Sequence, residues 1–221
     1  MREPEKIILI DICGTIFDSN TTFDFLDTML RASSYRRYRR FSKSFLWRAF
    51  NKICFIVFKV DLTRKIAVSY LKGYSENDLL QMSEQFYNDF LLKRQKTETI
   101  KLIKELQENK DNRLILVSAT LDCIASVVAK KLKIVDVLST SLCYEKSYCL
   151  GKIREDLLGN KLKILKKHRI MPLYDVMITN DYSDIDVIFQ SRKSYVVVEN
   201  NIKRWQYLLN KGSYMNYIFI R

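Results

Sequence analysis

The chain has 221 residues, enough for one α/β domain with an insertion and too few for two full-size domains. Hydrophobic residues make up 48% and charged residues 29%, which indicates a folded chain, and the 5 glycines and 2 prolines are too few for a turn-rich all-β fold. The single histidine, His168, excludes a His-rich metal site, and its position after a lysine-rich helical run predicts a surface residue.

Cysteine usage and the N-terminal sequence indicate the compartment. The 5 cysteines contain no C-x-x-C pair, so neither a disulfide framework nor a zinc site is expected, as in the reducing cytosol. The N-terminal residues MREPEK contain no apolar signal-peptide region, and the most apolar stretch, residues 53–60, is short and carries Lys59. We therefore expect a cytoplasmic protein that is at most peripheral to a membrane.

The first predicted strand covers Lys6 to Asp11, with the sequence KIILID. A short apolar run that ends in an acid is typical of a buried parallel strand whose carboxyl end presents that acid to a loop. The loop continues as Cys13, Gly14 and Thr15. Asp11 is accordingly the first candidate site residue.

A long helical stretch of about 95 residues separates this strand from the next one. A crossover between parallel strands needs only about 10–12 residues including its helix, so most of the stretch must be an insertion. We predict that residues 18–96 form a helical cap domain. Residues 1–17 and 97–221 would then form the core domain.

The predicted cap contains a basic segment, residues 31–65, which has eleven Lys or Arg residues against Asp61 alone and contributes +10 to the net charge of +13. Such a block is typical of a solvated helical face or of a surface for an anionic partner. Aromatic residues interleave with these charges at positions 41, 45, 47, 50, 55 and 58. They favour a helix packed within the cap, with an interfacial helix on an anionic membrane surface as the alternative. No nucleic-acid motif accompanies them, so no nucleic-acid partner is expected.

Three more strands are predicted in the second half of the chain, at Arg113 to Ser118, Tyr174 to Thr179 and Ser194 to Val198. They alternate with helical runs, which predicts a Rossmann-like, doubly wound parallel sheet. Ligands in such sheets bind beyond the carboxyl ends of the strands.

Several polar residues are expected to converge there. They follow apolar strands or open a helical run, and they are Asp11, Ser118, Lys161, Asp181 and Asp184. Any one of them could be an ordinary helix cap or turn residue, but all five in order favour a site. Clustered carboxylates suit Mg²⁺, and an ammonium with a hydroxyl suits phosphate oxygens.

The sequence resembles the haloacid dehalogenase (HAD) superfamily of aspartate-nucleophile hydrolases. The stretches IILIDICGTIFD, LILVSAT, LLGNKLKIL and MITNDYSDIDVI occur in the family's order. The insertion lies where the phosphoserine phosphatase-like branch has its cap. Within that branch the chain looks most similar to bacterial phosphatases such as those acting on phosphatidylglycerophosphate.

The resemblance implies roles for individual residues. Asp11 matches the nucleophile that forms an aspartyl-phosphate intermediate, and Lys161 matches the lysine that neutralises nucleophile and phosphate. The implied phosphate-binding set is Gly14, Thr15, Ser118, Ala119 and Lys161. The implied Mg²⁺ set is Asp11, Cys13, Asn180, Asp181 and Asp184.

Two positions depart from the family's pattern. Cys13 stands where active phosphatases carry a second Asp, which protonates the leaving oxygen and later activates water. Asn180, rather than Asp181, has the usual four-residue separation from Asp184. Either Asn180 supplies a neutral oxygen ligand, or the loop shifts so that Asp181 reaches the metal.

These observations predict a Mg²⁺-dependent phosphatase or phosphotransferase that acts on a small phosphorylated substrate. The first alternative is a catalytically impaired relative that binds a phosphorylated ligand or a partner. The second is a metal-independent dehalogenase-type hydrolase, because displacement of halide needs neither the second acid nor a metal.

Overall fold

The computed structural model describes residues 5–58, 60–199 and 201–221. Its centre is one seven-stranded sheet with the spatial order β4-β3-β2-β1-β5-β6-β7. The strands are β1 (Lys6–Ile10), β2 (Asn112–Leu121), β3 (Asp136–Glu145), β4 (Tyr148–Glu155), β5 (Tyr174–Thr179), β6 (Ser191–Val197) and β7 (Tyr217–Ile220). Neighbouring strands are parallel except for β3 and β4, which pair antiparallel. The predicted Rossmann-like α/β class is confirmed.

Strand β1 lies in the middle of the sheet, which explains its uninterrupted run of apolar residues. Ile10 pairs with Leu116 of β2 on one side and with Ile178 of β5 on the other. Since all three strands run parallel and in this register, they end at the same edge of the sheet. The polar residues that follow them therefore enter one region.

Helices cover both faces of the sheet. They are α1 (Thr21–Met29), α2 (Ser33–Ser42), α3 (Phe45–Phe58), α4 (Leu62–Ser69), α5 (Glu76–Phe86), α6 (Thr97–Glu108), α7 (Asp122–Leu132), α8 (Lys161–Lys167), α9 (Ile185–Ile188) and α10 (Ile202–Lys211). Ile8 and Ile10 of β1 belong to one buried cluster, and Leu9 belongs to the other. This alternation is what a strand covered on both faces requires.

The segment between β1 and α6 is helical, with α1 to α5 followed by a π-helical turn at Tyr87–Leu91 and a 3₁₀ turn at Leu92–Arg94. It does not form a separate core. Phe25, Val68 and Leu79 of this helical insertion lie in the same buried cluster as Ile8 and Ile10. Burial of this shared apolar surface attaches the insertion to one face of the sheet.

Three strands were not predicted from the sequence. β3 and β4 form a hairpin at one end of the sheet, and β7 adds a parallel strand at the other. The hairpin residues are mostly half-buried and of mixed polarity, so they lack the apolar run that marks β1. β2 is also longer than expected, because it continues past Ser118 to Leu121.

The prediction that the interleaved aromatic residues pack inside the insertion is wrong for Phe41, Phe45, Phe50 and Phe58, which are all exposed. Helix α3 buries only Cys54, because α2 and α4 cover one side of it and leave the rest open. Lys59, part of the basic segment, lies outside the described residues. Among the helices that the structure describes, none is long and apolar enough to cross a bilayer.

Candidate active site

Asp11 is the first residue after β1, at the centre of the sheet edge. Its backbone N–H donates to the carbonyl of Ile178 at 2.9 Å, so the residue is still held by the neighbouring strand β5. Its buried carboxylate accepts a hydrogen bond from Lys161 Nζ at 2.7 Å and another from Thr15 Oγ1 at 3.0 Å. Both oxygens are thereby oriented before any substrate arrives.

Lys161 begins α8 and points its ammonium into the same region. Its Nζ lies 2.7 Å from Asp11 Oδ1 and 2.7 Å from Asp184 Oδ2, and all three side chains are buried. Burial alone would lower the pKa of Lys161, but attraction by the two carboxylates raises it above its ordinary value. One permanent positive charge therefore holds two acids together.

Asp184 has one oxygen that is bonded and one that is not. Oδ2 accepts from Lys161 and, at 2.6 Å, from the hydroxyl of Thr179, the last residue of β5. Oδ1 is buried and has no hydrogen-bond partner. Burial raises the pKa of this carboxyl to about 7, although Lys161 favours the ionised form. A buried acceptor without a donor is costly, so Oδ1 is suited to an additional ligand.

The loop after β1 packs directly on Asn180. Gly14 has φ +70°, and a Cβ there would lie 2.1 Å from Asn180 Nδ2, so only glycine fits this approach. The backbone N–H of Asn180 donates to Thr15 Oγ1 at 2.9 Å, and Asn180 Oδ1 lies 3.3 Å from the same hydroxyl. Thr15 thus joins the Asn180 amide to Asp11.

Asp181 and Cys13 make their hydrogen bonds to residues outside this cluster. Asp181 Oδ1 accepts from the backbone N–H of Ser183 at 2.8 Å and caps the short helical turn that follows. The Cys13 thiol donates to the carbonyl of Ser19 at 3.1 Å. Burial and the nearby Asp11 charge raise the pKa of Cys13 to about 12, so the thiol is neutral at physiological pH.

Ser118 lies beside the cluster at the end of the central part of β2. Its Oγ is 3.0 Å from Thr120 Oγ1, which is 2.7 Å from Thr21 Oγ1 at the start of α1. These hydroxyls form a buried chain between β2 and the helical insertion. The orientation of the Ser118 hydroxyl is therefore coupled to the position of α1.

Arg64 makes a second connection between the insertion and the sheet edge. This residue of α4 is buried, donates to Asp156 Oδ1 at 2.5 Å and also donates to the carbonyl of Ala119. Asp156 Oδ1 also accepts from the backbone N–H of Leu158 at 3.0 Å, so it holds the loop that leads to Lys161. Arg64 therefore fits neither interpretation of the basic segment, since it belongs neither to a solvated face nor to an exposed surface for an anionic partner.

Direct contacts bring five of the residues singled out from the sequence together. They are Asp11, Thr15, Lys161, Asn180 and Asp184. Five further polar residues of the network were missed, namely Thr21, Arg64, Thr120, Asp156 and Thr179. Only Thr179 carried a sequence signal, as a hydroxyl residue at the end of a predicted strand.

The oxygen donors of the cluster fit a Mg²⁺ site whose remaining ligands are water and substrate oxygens. In the described part of the chain, no group of three or more His, Cys, Asp or Glu side chains forms a metal cage. Mg²⁺, however, is usually bound by one or two carboxylates together with waters and phosphate oxygens. Asp11, the amide oxygen of Asn180 and the unpartnered Asp184 Oδ1 are hard oxygen donors of this type.

A family comparison identifies relatives of this site and fold. The family model described as haloacid dehalogenase-like hydrolase matches residues 8–188, which include every residue of the cluster. No curated protein sequence matches the chain.

Solved structures show the same fold at low sequence identity. A Bordetella pertussis Tohama I protein of unknown function has a TM-score of 0.75 and 12% identity, with 99% of each chain covered. A phospho-aspartyl intermediate analogue of phosphoserine phosphatase has a TM-score of 0.58 and 16% identity, covering 92% of this chain and 91% of that one. Cytosolic 5'-nucleotidase IIIB bound to cytidine has a TM-score of 0.59 and 11% identity, covering 98% and 80%.

Proposed function

We propose that this chain, which belongs to the haloacid dehalogenase-like hydrolase family, is a phosphatase or phosphotransferase of the phosphoserine phosphatase-like branch with Asp11 as nucleophile. The observation that carries the proposal is the buried bridge of Lys161 Nζ between Asp11 and Asp184, 2.7 Å from each. A carboxylate held beside an ammonium can approach a phosphate dianion, because the positive charge offsets their repulsion.

The reaction begins with attack of an Asp11 carboxylate oxygen on phosphorus. The bond from phosphorus to the substrate's ester oxygen breaks, its electron pair leaves with the alkoxide, and the alkoxide takes a proton from water. Water then attacks the aspartyl phosphate, which releases inorganic phosphate and restores Asp11. In a phosphotransferase an alcohol would replace this second water.

The surrounding residues would bind and orient the phosphoryl group. The Ser118 hydroxyl and the backbone N–H of Ala119 are the proposed donors to its oxygens, and Lys161 would neutralise its charge. The backbone N–H groups of Gly14 and Thr15 already donate to the carbonyls of Ser19 and Ile12, at 3.1 and 3.3 Å, so these two residues would shape the loop beside the phosphate. Bound Mg²⁺ would be held by Asp11 and Asn180, with Asp184 in support, and would add positive charge beside the phosphate.

The helical insertion, residues 18–96, is the proposed cap of this site. The hydroxyl chain from Thr21 to Ser118 and the contact from Arg64 to Ala119 support the assignment, since both run from the insertion to the proposed phosphate-binding residues. A cap in this position would shield the aspartyl phosphate from bulk water.

The test is hydrolysis of 4-nitrophenyl phosphate with Mg²⁺, followed by trapping of the intermediate. Borohydride reduction of the aspartyl phosphate should convert Asp11 to homoserine, which peptide mass spectrometry detects. Asp11→Asn should abolish both turnover and trapping. The control Asp111→Asn, an exposed residue in the turn before β2, should keep both. Turnover that survives in Asp11→Asn would refute the proposed nucleophile.

Magnesium is tested separately by thermal unfolding, because a ligand that binds only the native state raises apparent stability. Millimolar Mg²⁺ should raise the melting temperature of the wild type. The gain should be lost in Asp184→Asn if this carboxylate supports the site. An unchanged wild-type melting temperature would remove Mg²⁺ from the proposal.

The neutral Cys13 thiol favours a second candidate, a catalytically impaired protein that binds phosphorylated ligands. Its pKa of about 12 makes it a poor general acid and base, and loss of such a group costs about 10²–10⁴-fold in rate. Binding of orthovanadate without detectable turnover of any phosphomonoester would support this candidate. The third candidate, a dehalogenase, requires metal-independent release of chloride from a 2-chloroalkanoate.

A cytoplasmic location beside an anionic membrane is the proposed setting. Eight large apolar residues are exposed over 18 positions of the basic segment, and Phe45 is 82% exposed; the eight are Phe41, Phe45, Leu46, Phe50, Ile53, Ile56, Val57 and Phe58. α3 has 14 residues, about 21 Å at 1.5 Å per residue, so it would lie in the interface rather than cross the bilayer.

Co-sedimentation with vesicles tests this setting. Wild type should bind vesicles of phosphatidylglycerol and phosphatidylcholine, and should bind pure phosphatidylcholine weakly. Phe50→Ser combined with Ile53→Ser should release it. Val135→Ser is the control, because Val135 is 94% exposed and lies outside the segment. Equal, negligible binding of wild type to both vesicle types would refute membrane association.

A further inference from the structure

A cavity of about 770 Å³ lies between helices α1 to α4 and the loop that precedes Lys161. Its volume is typical of pockets for small molecules. All of its lining residues except Leu158 come from the insertion, and Leu158 belongs to the core. The lining residues that matter here are Arg39, Lys43, Arg48, Lys52, Phe55 and Asp61.

The charges in this cavity are not balanced by the protein. Arg39 is neutralised by a two-point ion pair with Asp27, at 2.7 and 2.9 Å. Lys43, Arg48 and Lys52 form no ion pair with any described residue, and Asp61 is the single acid of the lining. A surplus of two positive charges therefore faces the cavity.

Asp61 offsets one of these three charges, and its own hydrogen bonds come from neutral donors. Its Oδ1 accepts from Asn51 Nδ2 at 3.1 Å and caps α4 through the backbone N–H of Arg64 at 2.9 Å. Arg48 and Lys52 are four residues apart on α3, with Cβ atoms about 5–6 Å apart, so they present their charges side by side. Like charges at this spacing repel one another, and an anion between them would relieve the repulsion.

Two connections link the cavity to the candidate active site. Leu158 lies three residues before Lys161, on the loop that Asp156 holds. Asp61 immediately precedes the turn of α4 that carries Arg64, and Arg64 contacts Ala119 beside Ser118. These contacts run from the lining of the cavity to Ala119 and to the loop before Lys161, two of the places proposed to bind the phosphate.

We propose that the cavity is a subsite for a second anionic group, carried on the alcohol part of the phosphorylated substrate. Arg48, Lys52 and Lys43 would bind that group, and Phe55 would contact the carbon skeleton between the two anions. The inference rests on the proposed phosphatase function and narrows its substrate class to compounds with two anionic groups. The same chemistry could be offered by a soluble compound or by a lipid headgroup.

The experiment compares alkanediol bisphosphates of three to eight carbons with the alkyl monophosphates of equal length. Wild type should show a kcat/KM at least about tenfold higher for the best bisphosphate, equivalent to about 1.4 kcal/mol of transition-state binding. Arg48→Gln with Lys52→Gln should reduce this preference to about onefold and leave alkyl monophosphate hydrolysis unchanged.

The control variant is Lys104→Gln with Lys110→Gln, which removes the same charge from exposed positions on α6 and the turn after it. It should retain the bisphosphate preference. Loss of the preference in both variants would show a general effect of net charge and overturn the subsite. So would wild-type hydrolysis of monophosphates with no preference for bisphosphates.

Calorimetric titration separates this inference from the proposed function. Wild type and Asp11→Asn should both bind hexanediol bisphosphate more tightly than hexyl phosphate, and the Arg48/Lys52 variant should not. That pattern without any turnover would retain the subsite and refute the phosphatase. Equal binding of both compounds to all proteins would overturn the subsite.

A last experiment distinguishes a lipid headgroup from a soluble compound as the source of the anion. The best bisphosphate is compared free in solution and attached to an octadecyl chain in phosphatidylcholine vesicles. Preference for the vesicle form indicates a lipid headgroup, and preference for the free form indicates a soluble substrate. In both cases the preference must depend on Arg48 and Lys52, and its independence from them would overturn the inference.

Discussion

Charge is arranged in different ways in two regions of the molecule, the sheet edge around Lys161 and helices α2 and α3 of the basic segment. At the sheet edge, one buried ammonium lies 2.7 Å from each of two buried carboxylates. On α2, on α3 and in the turn between them, most cations are exposed and form no ion pair with described residues; they are Arg36, Arg37, Arg40, Lys43, Arg48 and Lys52.

The first arrangement suits catalysis, and the second suits recognition of an anion. The charged side chains at the sheet edge are already paired and oriented in the free protein, so little reorganisation is needed when a phosphate binds. The cations of α2 and α3 have no such partners, and their electrostatic energy becomes available only when an anion binds. Substitutions in the first region should therefore change rate and stability, whereas those in the second should change binding.

The largest effect is expected from introducing a general acid at Cys13, where the sheet edge has none. Cys13→Asp should raise hydrolysis of alkyl phosphates by about 10²-fold or more, because their alkoxide needs a proton in the transition state. Hydrolysis of 4-nitrophenyl phosphate should change much less, since its leaving group has a low pKa. Steady-state kinetics on both substrates measures this.

Cys13→Asn is the matched control, because it has the shape of aspartate and no proton to donate. Equal gains in Cys13→Asn and Cys13→Asp, or equal gains on both substrates, would contradict the assignment of a missing general acid.

The next largest effect, on stability, is expected from removing the Lys161 ammonium that bridges Asp11 and Asp184. Lys161→Met leaves Asp11 and Asp184 buried against each other with no cation, and should lower the free energy of unfolding by about 3–5 kcal/mol. Lys163→Met, on the same helix but exposed, should change it by less than about 0.5 kcal/mol. Urea denaturation compares the two. Similar small effects would mean that the bridge does not carry this part of the stability.

A smaller loss of stability is expected from removing Arg64, which connects the insertion to the core. Arg64→Met should cost about 2–3 kcal/mol, because Asp156 keeps part of its solvation while Ala119 loses its donor. The control Lys65→Met replaces an exposed neighbour on the same helix and should be nearly neutral. If Arg64→Met is also neutral, the ion pair does not attach α4 to the sheet edge.

The smallest effect distinguishes the ion pair of Arg39 with Asp27 from the unpaired cations of α2 and α3. Burial by itself would raise the pKa of Asp27, but hydrogen bonds from Arg39 and Tyr35 lower it below its ordinary value. A carboxyl with a lowered native pKa stabilises the fold above its unfolded pKa of about 3.9, and this stability is lost as the pH falls.

Wild type should therefore exceed Asp27→Asn in free energy of unfolding by up to about 1 kcal/mol near neutral pH, a limit set by the partial exposure of the pair. The difference should shrink as the pH falls below about 4. Asp111→Asn, the same substitution at an exposed residue in the turn before β2, is the control. A wild-type advantage that is constant between pH 7 and pH 3.5 would contradict the role of the ionised carboxylate.

Local pattern was sufficient to predict the central part of the fold. β1, β2 and β5 are apolar runs buried on both faces of a parallel sheet, and such strands differ from helices and loops in composition alone. Since parallel strands end at a common edge, the contact of Asp11 with Lys161 and Asp184 follows from the positions of those residues after strands or at a helix start.

Local pattern did not predict β3, β4 and β7, because strands near the sides of a sheet are partly solvated and their polarity is mixed. Nor did it distinguish among the arginines of the basic segment. Arg64 is buried because Asp156, 92 residues later, lies opposite it, whereas Arg36 and Arg37 meet solvent.

The sequence by itself determined the parallel core, the order of its polar residues and the helical character of the insertion. Tertiary structure alone decided which side of α3 is covered, which cations are paired and how Thr21 reaches Thr120 across 99 residues. The physical reason is the separation along the chain over which each kind of interaction acts. Strand and helix preferences come from neighbouring residues along the chain, whereas burial and charge pairing depend on residues that only folding brings together.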